Sequence, residues 1–231
     1  MNWVANNLPL ILQRTGDHLA IAVPAIILSF VISIPIGWVA HHYRWSRGTV
    51  LTSIGLLYAI PSLPLFIVIP LIVGTGLRSP VNLVVGLTLY GIALMVRSTA
   101  DALGSVDSNV EQSASAVGFS AWQRFWRVDL PLAGPVLLAG IRVVSVSTVS
   151  LTTVGAVIGI SSLGSLFTDG FQRNITAEIY TGIVMTILVA LVLDLILVMI
   201  GRALMPWIGA VSPRRAARNA RAARRSGEVT A

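Results

Sequence analysis

The long stretches of this chain that carry no formal charge are what most limit its fold. Asp17 to Arg44 encloses 26 uncharged residues, Arg47 to Arg78 encloses 30, Arg78 to Arg97 encloses 18 and Arg142 to Asp169 encloses 26. A hydrocarbon layer is crossed by about 20 apolar residues of helix, so each run is long enough to hold a span. A further stretch, Ile179 to Met205, is charged only at Asp194 and Arg202 and is otherwise rich in Leu, Val, Ile and Ala. The expectation is an all-α polytopic membrane protein with about five transmembrane helices, near residues 18–40, 49–75, 80–97, 132–160 and 178–205. Composition agrees, because 55% hydrophobic and 11% charged residues over 231 positions is too apolar for a chain that faces water on every side.

The kinds of charge that are missing exclude several functions. All 16 basic residues are Arg, and without Lys the chain can hold neither a P-loop nucleotide site nor a Schiff base. The absence of Cys removes disulfides, thiol nucleophiles and thiolate metal sites. His18, His41 and His42 lack the clustered carboxylates of a catalytic zinc site, so no metal, cofactor or enzymatic role is expected of this chain.

Orientation follows from the arginines, because basic loops resist translocation. With the N-terminus outside, Arg44, Arg47, Arg97, Arg124, Arg127, Arg202 and six tail arginines fall inside, 12 in all, against Arg14, Arg78 and Arg173 outside. The chain is therefore expected N-out and C-in. Its first apolar stretch is too long for the core of a signal peptide, and GWVAHHYRW has no small-residue cleavage site, so it is read as a span. Upstream, residues 1–17 mix Trp3, Leu8, Leu10, Ile11 and Leu12 with Asn and Gln, as an interfacial helix on the outer leaflet or a frayed terminus would. Residues 206–231 form an Arg-rich cytoplasmic tail, read as a topology signal rather than a nucleic-acid site.

The polar stretch 98–131, between the third and fourth spans, is too long for a connector. Ser108 and Glu111 have capping-box spacing, with Ser108 as N-cap, so a helix is predicted to start inside the loop. Ala114, Ala116 and Val117 would give it a small, smooth face. Gly118 allows a left-handed stop, and Trp122, Phe125 and Trp126 open an aromatic segment before Pro131 begins the next span at its first position. Two short helices set at an angle make a shape that docks in a partner's groove.

In this loop the chain resembles the permeases of bacterial ATP-binding-cassette importers, whose pattern is Glu-Ala-Ala, three residues, Gly, nine residues, an aliphatic, any residue, Leu-Pro. Gln112-Ser113-Ala114, Gly118 and Val128-Asp129-Leu130-Pro131 keep that spacing. Gln112 replaces the family's Glu and Ser113 its first Ala, with Glu111 one residue early. Leu57 to Leu65, Gly140-Ile141-Arg142 and Ile158 to Gly164 are similar to segments of the osmoprotectant subfamily. The resemblance implies an importer-permease (MetI-like) fold at the bacterial cell membrane, coupled by the loop to a cytoplasmic ATPase subunit that binds the ATP. It also implies a second permease, the same or paralogous, and an extracytoplasmic solute-binding protein. The implied solute is glycine betaine, choline, carnitine or proline betaine, with an importer of another small solute such as an amino acid or methionine as the alternative.

The remaining polar residues mark depth and path. Arg142 lies 11 residues after Pro131 and Asp194 lies 11 before Met205, each about 16 Å from the cytoplasmic side, which permits an intramembrane ion pair. An ion-coupled secondary transporter would need more acids and His than this single Asp, or two similar halves. Pro61, Pro64 and Pro70 interrupt the second span, and with Tyr58 and Ser62 they suggest a pore wall or a packing kink. Ser145, Thr148 and Thr152 recur at helical spacing and suit either the translocation path or a helix contact. The Gly-rich GISSLGSLFTDG falls outside and reads as a gate or a docking surface for the binding protein.

Overall fold

The computed structural model describes residues 2–207, and all regular structure among them is helical. The Arg-rich tail from residue 208 onward lies outside the described residues. A five-residue helix, α1 (Asn2–Asn6), leads into α2 (Leu8–His42). The helix of the first span therefore starts at Leu8 rather than near residue 18, because nothing between them stops it. Pro9 lies in the first turn, where its missing N–H leaves no bond unmade. At 35 residues α2 is about 52 Å long, more than a bilayer core requires. Trp3, Leu10 and Leu19 pack on the cluster around Ala22, Leu166 and Val189, which joins the N-terminal segment to the bundle.

The second apolar run is not one continuous helix but two, joined at a sharp bend. α3 (Arg44–Ala59) ends at Ile60, which is extended, and α4 (Ser62–Val73) leaves at 103°. Pro61 forces Ile60 out of the helical region and takes the N-cap place of α4, so the break falls at the first of the prolines. Pro64 lies within the first turn of α4, and Pro70 is accommodated inside it.

α5 (Pro80–Gly104) is the central helix. Its most apolar 18 residues are 67% buried, whereas those of α10 (Thr176–Leu204) are 6% buried. α5 outlasts the predicted third span because its inner face continues past Arg97 through Thr99, Ala100, Ala102 and Leu103, all buried. Small residues bring neighbours close to it. A side chain on Gly91 would overlap Ser29 of α2, and one on Gly37 would meet Thr99 at 2.5 Å. Ser29 uses that proximity, donating to the Ala25 carbonyl at 2.6 Å and to the Thr88 carbonyl across the interface at 3.2 Å.

After α6 (Ser108–Ala116) and α7 (Ala121–Arg124), a π-helical turn over Phe125–Asp129 runs without interruption into α8 (Leu130–Thr152). Pro131 is thus the second residue of α8 and opens no separate helix. α8 tightens into a 3-10 turn over Thr153–Ile158 and reverses at Gly159, whose φ is 81°. The Gly-rich segment folds into α9 (Gly164–Gln172), which packs on α10 through Leu166 and Gly182. Four helical segments are long and apolar enough to cross a membrane, or five when the bent α3/α4 pair is taken as one span.

Candidate functional site: a docking loop and a broken span

Two features of this bundle are candidates for a functional site. The first is the loop helix pair. α6 starts one residue earlier than a Ser108 cap requires, because the Asp107 carboxylate accepts the Asn109 N–H at 2.8 Å, and aspartate is among the best N-caps. Ser108 is inside the helix and Glu111 makes no reciprocal cap. The reciprocal box forms at the next helix instead: the Gln123 N–H donates to Ser120 Oγ and the Ser120 N–H to Gln123 Oε1. Between them Gly118 turns with φ 99°, and the Phe119 N–H returns to the Ala114 carbonyl at 3.2 Å.

No residue of α6 is buried. Gln112 and Ser113 are exposed and Ala114 half-buried, and Val117 and Trp122 stand 80% and 64% exposed. The loop is rigid at its root all the same. Phe125 is buried, meets Trp38 of α2 edge-on at 5.9 Å and lies between Trp122 and Trp126, while Trp38 stacks on His42 at 5.0 Å. Arg124 pairs with Asp129 at 3.3 Å and donates to Ser115 Oγ at 3.3 Å, which ties α6 to α7. Leu130 and Pro131 continue this root into α8. A pair of helices anchored at one end and exposed at the other, mostly polar but carrying Val110, Val117 and Trp122 at its surface, suits contact with a protein partner.

The second feature is the α3/α4 break. Tyr58, Pro61 and Ser62 line a cleft of about 270 Å³ there, with Ala59, Ile60 and Leu151. Tyr90 of α5 closes it, donating from its hydroxyl to the Ile60 carbonyl that the break leaves without a helical partner. The Tyr58 and Tyr90 rings meet edge to face at 5.6 Å, and Phe66 supports Tyr90 from α4 at 6.3 Å. Gly86 makes room for Phe66, since a side chain there would meet its ring at 2.5 Å. Pro64 is exposed one turn away. Tyr90 and Phe66 carry no polar pattern in sequence that marks them. Only the fold brings them to the break.

Ser145, Thr148 and Thr152 are buried, at 0%, 3% and 0% exposure, and none of them lines this cleft. Thr152 Oγ1 donates back to the Thr148 carbonyl at 2.7 Å, and Ser162 donates to the Thr152 carbonyl at 3.3 Å. The reason is rotational: on α8 the hydroxyl stripe is turned into the bundle, and Leu151 is the α8 side chain turned to the cleft. A larger cavity, about 620 Å³ between α2, α8 and α10, is lined by apolar side chains such as Phe30, Leu137 and Leu197 and offers a polar solute nothing to bind.

Arg142 and Asp194 form a two-point ion pair, with Nε to Oδ1 at 2.6 Å and Nη2 to Oδ2 at 2.8 Å. Their side chains are 44% and 25% exposed, so the pair looks out of the chain at the α8/α10 face. At the N-terminal end of α10, Arg173 holds the almost fully buried Glu178 at 2.6 Å across a turn in which Asn174 has a φ of 57°. That pair is not separable in sequence from ordinary loop charges. Among the described residues no three His, Asp or Glu side chains gather as a metal site.

This bundle, with a broken span beside a central helix and a capped helix pair between its third and fourth spans, is that of a polytopic membrane protein. Solved structures agree on the fold: the inward-facing methionine transporter MetNI superposes with a TM-score of 0.78 over 86% of this chain and 98% of that one, at 21% identity. The chain belongs to the family described as binding-protein-dependent transport system inner membrane component, whose profile matches residues 25–209. Its relatives include the osmoprotectant import permease protein OsmW of Salmonella typhimurium, 31% identical over 85% of this chain and 93% of that protein. Another is the glycine betaine/carnitine/choline transport system permease protein OpuCD of Bacillus subtilis, 29% identical over 85% of each.

Proposed function

We propose that this chain is the permease subunit of an ATP-driven importer for a compatible solute such as glycine betaine, choline, carnitine or proline betaine. The observation that carries the coupling is the exposed, doubly capped helix pair hinged at Gly118. ATP would be bound by a separate cytoplasmic subunit, and its closure would pull on residues 108–127. The buried Phe125 root and the unbroken run into α8 pass that motion to the membrane. The solute class is supported by what OsmW and OpuCD are named for.

A second permease, the same or paralogous, completes the path. The α8/α10 face supports this, because an ion pair exposed at membrane depth is costly against lipid and suits a protein or water-lined face. A solute-binding protein on the outer side delivers the cargo, with the α9 region as its contact. The test is reconstitution in vesicles with the cognate ATPase and binding protein. ATP-dependent uptake of glycine betaine or choline, unchanged when the proton gradient is collapsed, is the expected result. Uptake by this chain alone under a proton or sodium gradient overturns the reading.

A further inference from the structure

We propose that Tyr58 and Tyr90 form a cation–π station that holds the quaternary ammonium group of the solute at the α3/α4 break. This rests on the importer reading above and adds to it the place in the membrane where the charged end of the cargo is recognised. The cleft lies about 18 Å of helix above Arg47, near mid-bilayer. Its volume of about 270 Å³ falls just below the roughly 300–1,000 Å³ of sites for drug-sized ligands, which suits a compact solute.

No carboxylate, Arg or His lines the cleft, so any preference for charge has to come from ring faces and backbone dipoles. The ring faces favour a cation, whereas the backbone is divided, since the positive N-terminal end of α4 starts at Ser62 beside the negative C-terminal end of α3. The last turn of α3 opens here, and the unpaired carbonyls of a helix C-terminus carry partial negative charge. The two rings have different parts. Tyr90 is 5% exposed, fixed by its bond to the Ile60 carbonyl and by Phe66, whereas Tyr58 is 47% exposed and presents its ring to the opening. A primary ammonium or guanidinium would need several oxygen acceptors for its N–H groups, and the only side-chain oxygens here are the hydroxyls of Tyr58, Tyr90 and Ser62. A quaternary ammonium has no N–H to satisfy and binds by its charge and methyl surface, which aromatic faces accept.

The test uses the complete importer in vesicles with the binding protein saturated. Tyr58→Phe should keep the maximal uptake rate of choline or glycine betaine within about two-fold, and Tyr58→Leu should lower it about ten-fold. The solute concentration for half-maximal uptake, set by the binding protein, should not move. Phenylalanine carrying one, two and three fluorines in place of Tyr58 should lower the rate stepwise, since fluorine weakens the negative ring face without changing its shape much. A flat fluorine series, or equal rates for Phe and Leu, overturns the station while leaving the importer reading intact. Failure of the wild-type complex to import any quaternary ammonium compound overturns the substrate reading and this one with it.

Discussion

Gly118 is the residue at which the chain turns between α6 and α7, and its φ of 99° is a conformation that a β-branched residue resists. Gly118→Val should cost about 1 kcal/mol or more in the loop and reorient α6 against α7. Transport should be lost while the subunit still inserts, as read by uptake assays beside co-purification of the ATPase; normal uptake with retained co-purification contradicts the docking role. The Arg142 and Asp194 pair makes a reciprocal prediction. Either neutralisation alone strands a charge at membrane depth and should lower the folded yield, and an Arg142→Gln, Asp194→Asn double change should recover much of it. Strictly additive losses in that cycle argue against a working contact. Single residues were legible in sequence when their chemistry was singular: Gly118 by its type and place, Arg142 and Asp194 because no other charge competes at their depth. Asp107 was not, since Asp107 and Ser108 are both good caps and only the backbone geometry decides between them.

At the scale of elements, charge spacing located the helices but not their ends. α5 and α2 overrun the predicted spans because burial and helical hydrogen bonding continue past the first charge or polar cluster, and composition does not register either. The prolines of the second run were readable as an interruption. Whether they bend a helix or break it depends on what satisfies the freed backbone, and here that is Tyr90, thirty residues away from Ile60. Tyr90→Phe removes the donor and leaves the Ile60 carbonyl without it. The expected loss is about 0.5–1.5 kcal/mol, read as a lower unfolding midpoint of the purified protein in detergent. An unchanged midpoint would mean that water or lipid replaces the bond. The π-helical turn at Phe125–Asp129 also escapes sequence reading, and it makes the aromatic root and α8 one continuous helix.

For the whole molecule, topology and energy coupling are separable, and the Arg-rich tail tells them apart. Removing residues 208–231 takes away six of the twelve arginines assigned to the inside and leaves six against three outside, so the bias that sets N-out, C-in orientation keeps its sign. α6, α7, the Phe125 root and the α3/α4 cleft all lie among residues 2–207. The truncated subunit should therefore insert in the same orientation and, once assembled with its ATPase and binding protein, import at the full rate per complex. Accessibility of single cysteines introduced at Thr75 and Ser105, on a chain that has none of its own, reads the orientation directly: Thr75 should react from outside and Ser105 from inside. Inverted labelling would show that the tail dominates topology. Correct labelling with lost uptake would give the tail a part in transport itself.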